Sequence, residues 1–184
     1  MNEFYKNGYM IVKGLLPIED VKNISKHLKE REAVGSGSRN DEQVEDSIAF
    51  YSDNFLLGYQ YEVLKSIEKI TGLDLFKTYN YARIYKKGNI LRVHTDREAC
   101  EISVTIDLGG DPWSIWVLDR DENPIEIKLE PGDGVIYRGC TTNHWRAKFD
   151  GDEHVQVFMH YVDKHGPYRW CKDDVDKVKP NDIL

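Results

Sequence analysis

The chain has 184 residues and a mass of 21.4 kDa, enough for one domain around a single core and too little for two of full size. With 25 Lys and Arg against 32 Asp and Glu, the formal net charge is −7; no general field draws the chain to a nucleic-acid backbone, and such a partner is disfavoured. A hydrophobic content of 40% with 11% aromatics argues against disorder, and three cysteines without a CxxC pair argue against a disulfide framework or a zinc knuckle.

The first ten residues lack the basic-then-apolar order of a signal peptide, and no run reaches the roughly 18 apolar residues of a membrane span. A soluble, cytoplasmic protein with no membrane partner is expected. Tyr9, Ile11, Leu15 and Leu16 predict a short strand within residues 8–16. Pro17 then opens a helix of about three turns, with Ile18, Val21, Ile24 and Leu28 at helical spacing. Residues 33–47 are rich in Gly, Ser, Asn, Asp and Glu and read as a loop. Asp53 or Asn54 is positioned to cap a second helix, whose apolar stripe runs from Leu56 through Val63 and Ile67 to Ile70 before Gly72 ends it.

Beyond Gly72 short runs rich in Tyr, Ile, Val, Thr and Trp predict strands at 78–85, 90–96, 101–108, 113–118, 125–129, 134–137, 144–149 and 155–162. Turn sequences such as Lys87-Gly88-Asn89, Gly109-Gly110-Asp111-Pro112 and Pro131-Gly132-Asp133-Gly134 separate them. Two helices followed by short strands at this spacing predict a mainly β chain, a sandwich or jelly roll with a helical flank. The expected division is a single domain over 1–184: helical flank 1–72, jelly-roll core 73–162 and charged tail 163–184.

His94-Thr95-Asp96 lies at a predicted strand end, where alternation sends His94 and Asp96 to one face, within reach of one metal ion. The competing reading is a polar strand end with the Asp capping a turn. His144 follows fifty positions later, and in a jelly roll strands far apart in sequence lie side by side, so it can complete a three-ligand face. Two imidazoles and one carboxylate suit non-haem Fe(II) with open positions for substrate and dioxygen. The same donors also hold catalytic Zn(II), and His160 is an alternative distal ligand.

Tyr81-Ala82-Arg83-Ile84-Tyr85, Gly88, Leu91, His94-Thr95-Asp96-Arg97, the Ile/Val/Thr strand through Leu108, Pro131-Gly132-Asp133 and His144 together carry a resemblance. Over residues 73–162 the chain resembles the 2-oxoglutarate- and Fe(II)-dependent dioxygenases, in particular their prolyl-4-hydroxylase-like branch. The resemblance implies a double-stranded β-helix, a cupin-like jelly roll with the metal at one mouth. It implies His94, Asp96 and His144 as the metal-binding, catalytic residues and Tyr85 in the oxo-acid pocket. Fe(II), 2-oxoglutarate and dioxygen would be cofactor and co-substrates, with ascorbate an optional reductant. The implied reaction is hydroxylation of an unactivated C–H bond in a small-molecule or peptidyl substrate, a prolyl side chain being the first expectation.

One position departs from that pattern. The family usually holds the far carboxylate of 2-oxoglutarate with an Arg or Lys nine or ten residues after the distal histidine, where this chain has Glu153 or His154. His154 is expected to substitute, protonated or hydrogen-bonding, with help from Gln156, Ser103 or Thr105, while Arg83 and Arg146 are further candidates. The departure keeps open a non-catalytic jelly-roll binding module, and the donor set a cupin-like metalloenzyme of another reaction class. Arg97 and Glu101 are expected to pair or to address substrate, His27 and His165 to be solvated, and Cys100 and Cys140 to be inert. Residues 35–46 and 166–172 are the expected lid; oligomeric state is not legible.

Overall fold

The computed structural model describes residues 2–39 and 43–174. Residues 40–42 of the expected loop and 175–184 of the expected tail lie outside the described residues. The chain opens with a one-turn helix, α1 (Glu3–Asn7), in which Asn2 Oδ1 accepts from Phe4 N and Gly8, at φ 85°, ends the turn. β1 (Tyr9–Val12) follows, and α2 (Ile18–Ala33) starts directly behind Pro17, with Glu19 and Asp20 complementing the helix dipole. At 16 residues α2 is longer than the three turns expected. After β2 (Ile48–Tyr51), the Asp53 carboxylate accepts from Phe55 N and opens a 3-10 turn that runs into α3 (Leu57–Thr71), closed by Gly72 at φ 73°.

Eight further strands correspond to the eight expected: β3 (Leu75–Lys86), β4 (Leu91–His94), β5 (Ile102–Gly110), β6 (Ile115–Leu118), β7 (Pro124–Ile127), β8 (Gly134–Tyr137), β9 (His144–Arg146) and β10 (Glu153–Asp163). Together with β1 and β2 they form two antiparallel sheets, β1-β8-β5-β10-β3-β2 and β4-β9-β6-β7. Neighbours distant in sequence, such as β3 beside β10 and β4 beside β9, give the jelly-roll arrangement.

The larger sheet separates the core from the site. On β10, Val155, Val157, Met159 and Tyr161 join Val21, Ile24 and Leu28 of α2 and Val63 and Ile67 of α3 in the main core. The alternate residues His154, Gln156, Phe158 and His160 fall on the opposite face, which looks toward the smaller sheet. Ile67 is fully buried, so Ile67→Ala is expected to destabilise the fold by about 3 kcal/mol, read as a lowered urea midpoint. An unchanged midpoint would mean that the helices do not anchor the sheet.

The Pro131-Gly132-Asp133 turn has a structural task. Gly132 stands at φ 93° with Leu16 O only 2.5 Å from where a Cβ would be, and the Asp133 carboxylate accepts from Gly14 N, Glu130 N and Lys13 Nζ. This ties the turn before β8 to the end of β1. His27 is not simply solvated: its Nε2 lies 2.8 Å from Asp53 Oδ2 and its ring stacks on Phe55 at 4.1 Å. An Asp that caps one helix turn thereby fastens the other helix, a long-range contact that local periodicity does not carry.

Candidate metal centre

β4 and β9 are antiparallel neighbours in which His94 faces His144, and the chain leaving β4 turns back so that Asp96 joins them. Asp96 Oδ1 lies 3.7 Å from His94 Nε2 and 3.5 Å from His144 Nε2, and the three donor atoms are all within 4.8 Å of one another. Each imidazole is held from behind. His94 Nδ1 is 2.8 Å from Arg92 O and His144 Nδ1 is 3.0 Å from Thr142 O. A carbonyl oxygen only accepts, so both Nδ1 atoms carry the hydrogen, and in the neutral rings both Nε2 atoms present a lone pair. Burial pushes the Asp96 carboxyl up, but the facing His144, then His160 and the Ser103 hydroxyl, outweigh it and hold the group well below the usual carboxylate range. Asp96 is therefore ionised. Burial first, and then neighbouring His144, lowers the pKa of His94, which favours the neutral, ligating form. Two imidazole nitrogens and one carboxylate oxygen thus converge on one point, an arrangement suited to a divalent cation. The donor set fits Fe(II).

The carboxylate is oriented from its other oxygen. Ser103 Oγ donates to Asp96 Oδ2 at 2.7 Å, and because that uses its hydrogen, it accepts from His160 Nδ1 at 3.0 Å. Gly139 presses on the same oxygen: a Cβ there would lie 2.6 Å from Asp96 Oδ2 and 2.2 Å from Cys100 O. Ser103→Ala is expected to weaken Mn(II) binding about 10- to 100-fold with the fold intact, measured by calorimetry. Unchanged affinity would show that the hydroxyl does not orient the ligand.

The centre opens into a cavity of about 330 Å³ whose lining includes Tyr79, Tyr81, Arg83, Tyr137, Phe158 and His160 beside the three donors. No protein-family model and no curated protein matches the sequence. Solved structures do match in shape. A prolyl-4-hydroxylase of Pseudomonas putida superposes with a TM-score of 0.72 at 15% identity, over 88% of this chain and 95% of that one. The non-heme alpha-ketoglutarate-dependent epimerase SnoN from nogalamycin biosynthesis gives 0.75 at 12% identity, over 87% and 80%. HygX of Streptomyces hygroscopicus, solved with nickel and 2-oxoglutarate, gives 0.70 at 10% identity, over 89% and 85%. The chain has the 2-oxoglutarate/Fe(II) oxygenase fold.

None of the expected oxo-acid residues, Tyr85, His154, Gln156, Ser103 and Thr105, is among those that line the cavity. Ser103 serves Asp96, as described. The Tyr85 ring is buried, edge-on to Trp113 at 4.8 Å, with its hydroxyl accepting from Arg83 Nη1. His154 is not the expected cation. Its Nδ1 lies 3.1 Å from Asp111 O and its Nε2 2.7 Å from Gln156 Oε1, while Gln156 Nε2 donates to Thr105 Oγ1 at 2.6 Å. Burial, and then the positive charge of Arg146, pushes its pKa down to about 4, so the ring is neutral at pH 7. His154, Gln156 and Thr105 are thus committed to one another, a long-range outcome that residue types alone do not reveal.

Several rim residues differ from expectation. Arg97 does not pair with Glu101; it holds Asp174 with two hydrogen bonds of 2.8 and 2.9 Å, while Glu101 accepts from Asp163 N. From the expected loop lid, Gln43 lines the cavity, and Val44 is buried against the interior cluster of Tyr85, Leu91, Phe149 and Phe158. Tyr51 and Tyr137, which also line the cavity, were not among the expected site residues, although the alternation of β8 would have put Tyr137 inside. His165 is exposed, beside Asp74. Burial raises the Cys100 thiol well above its usual value and the Cys140 thiol up to about 12, consistent with inert thiols.

Proposed function

We propose that this chain is a 2-oxoglutarate- and Fe(II)-dependent dioxygenase that hydroxylates an unactivated C–H bond in a small molecule or an amino-acid side chain. The observation that carries this reading is the convergence of His94, Asp96 and His144 at the mouth of a jelly roll, with both imidazole Nε2 lone pairs aimed inward. The bound metal would supply a chelation point for 2-oxoglutarate and dioxygen, whose joint chemistry yields succinate, carbon dioxide and an oxidised substrate. The protein's own contribution is positioning and exclusion of water. The Arg92 and Thr142 carbonyls fix the imidazole tautomers, Ser103 fixes the carboxylate, and Leu91 and Phe158 make the cavity wall apolar near the donors.

The cavity's size suits one side chain or one small molecule rather than a nucleic-acid duplex. Aromatic Tyr51, Tyr79 and Tyr81 in its lining favour a substrate with an apolar or ring-bearing body, in line with a prolyl group. Neighbours of this fold include prolyl hydroxylases and an enzyme solved with hygromycin B, which supports both a peptidyl and a small-molecule substrate. Among the described residues no helix is long and apolar enough to cross a membrane, and a single soluble cytoplasmic domain over 1–184 completes the proposal.

The test is anaerobic loading with Fe(II), addition of 2-oxoglutarate and oxygen, and measurement of succinate against a panel of prolyl peptides, free amino acids and ring-bearing small molecules. Substrate-stimulated succinate release is expected. A protein that binds no divalent metal would overturn the reading.

A further inference from the structure

A buried dianionic oxo-acid needs a cation for the carboxylate it does not give to the metal, and His154 is neutral and already hydrogen-bonded at both ring nitrogens. We propose that Arg146 is the residue that holds the far carboxylate of 2-oxoglutarate, supplied from β9 of the smaller sheet; this rests on the oxygenase reading above.

Four observations converge on Arg146. It follows His144 by two residues on one strand, so both side chains share the inner face, Arg146 about 6.6 Å further along it. Arg146 lies just behind the cavity wall rather than in it: its strand partner Leu91 and its neighbour two positions back, His144, both line the metal cavity. Arg146 is 1% exposed and its guanidinium is unmatched. Nη1 donates to Trp113 O and the group lies over the Trp113 ring at 5.0 Å, yet buried Nε has no hydrogen-bond partner and no carboxylate is within ion-pair distance among the described residues. Asp107 attracts it only from further away, with one oxygen already accepting from Gly109 N. Lastly, Arg146 is itself a reason that His154 is uncharged, so the two act in the same region of the interior. A fully buried guanidinium with an unused Nε donor, and no carboxylate within ion-pair distance among the described residues, is an arrangement that an incoming carboxylate would complete.

The experiment compares two ligands with the same chelating head. The Mn(II)-loaded protein is titrated calorimetrically with 2-oxoglutarate and with 2-oxopentanoate, in which a methyl group replaces the far carboxylate. The wild type should prefer 2-oxoglutarate strongly. Arg146→Met should weaken 2-oxoglutarate by at least about 30-fold and leave 2-oxopentanoate within about threefold. Should the Met variant fail to fold, Arg146→Gln is read by the same two titrations. His154→Gln should keep the preference. Retention of the preference in a folded Arg146 variant, equal weakening of both ligands, or loss of the preference in His154→Gln would each overturn the assignment. Those outcomes leave the oxygenase reading standing, whereas a wild type that takes up Mn(II) and then binds neither ligand overturns both.

Discussion

In His144→Ala, 2-oxoglutarate-dependent succinate formation is expected to fall at least about 1,000-fold, to background. Changing a residue that only orients a metal ligand typically costs 10- to 100-fold, and this change removes the ligand itself. The remaining pair, His94 and Asp96, is the more exposed part of the centre, whereas His144 is 3% exposed and its Nε2 is the donor nearest to Asp96. Loss of Mn(II) binding should accompany loss of turnover, with far-UV circular dichroism unchanged. The comparison that gives the result meaning is His160→Ala. His160 belongs to a second group of candidate donors, Asp96, Cys100 and His160, but Cys100 is a protonated thiol, and His160 lies behind Ser103. His160→Ala should therefore retain the metal. If instead His144→Ala kept its turnover and His160→Ala lost it, the centre would lie one row away on the other sheet.

Acidification is expected to destabilise the metal-free protein between pH 6.5 and about 4, with His154 contributing up to about 3 kcal/mol of the fall. Its pKa is 6.5 unfolded and about 4 folded, because burial and then Arg146 disfavour the imidazolium. Between those values the unfolded chain binds a proton that the folded one refuses, so the stabilisation is complete above pH 6.5 and is gone at about pH 4. Asp107 works the other way. Burial pushes its carboxyl up to about 6, so folded protein takes up a proton there first and part of the loss is offset. The difference between wild type and His154→Gln is consequently the informative quantity. Urea midpoints at pH 7, 6, 5 and 4 should fall less in the variant; parallel curves would mean that His154 is protonated in the folded state.

Where periodicity is long, the sequence was legible. α3 and the strand runs of the core announce themselves by apolar spacing, and Asp53 and Gly72 mark the helix ends where the structure has them. α1 was missed because five residues with one buried side chain have no period, and β2 because Ile48, Ala49 and Phe50 are buried consecutively, without alternation. In the site, His94 and Asp96 could be paired from strand alternation alone, but His144 could join them only once a jelly roll was assumed. The same alternation places Arg146 beside His144, though choosing it over His154 needed the hydrogen bonds of His154, which depend on Asp111 and Gln156 meeting in space. Arg97 illustrates the same limit: its partner, Asp174, is 77 positions away.

β10 gives one set of side chains to the helices and the interleaved set to the cavity. Such a strand has no neutral side on which to absorb an insertion or deletion. Adding or removing one residue upstream of Phe158, with no compensating bulge, would turn the downstream segment inside out, thrusting polar groups at α2 and α3 and aliphatic ones at the cavity. Changes of residue type along this strand are therefore easier to accommodate than a change of its length, except where a bulge takes up the extra residue, as at the register shifts beside His154 and after Met159.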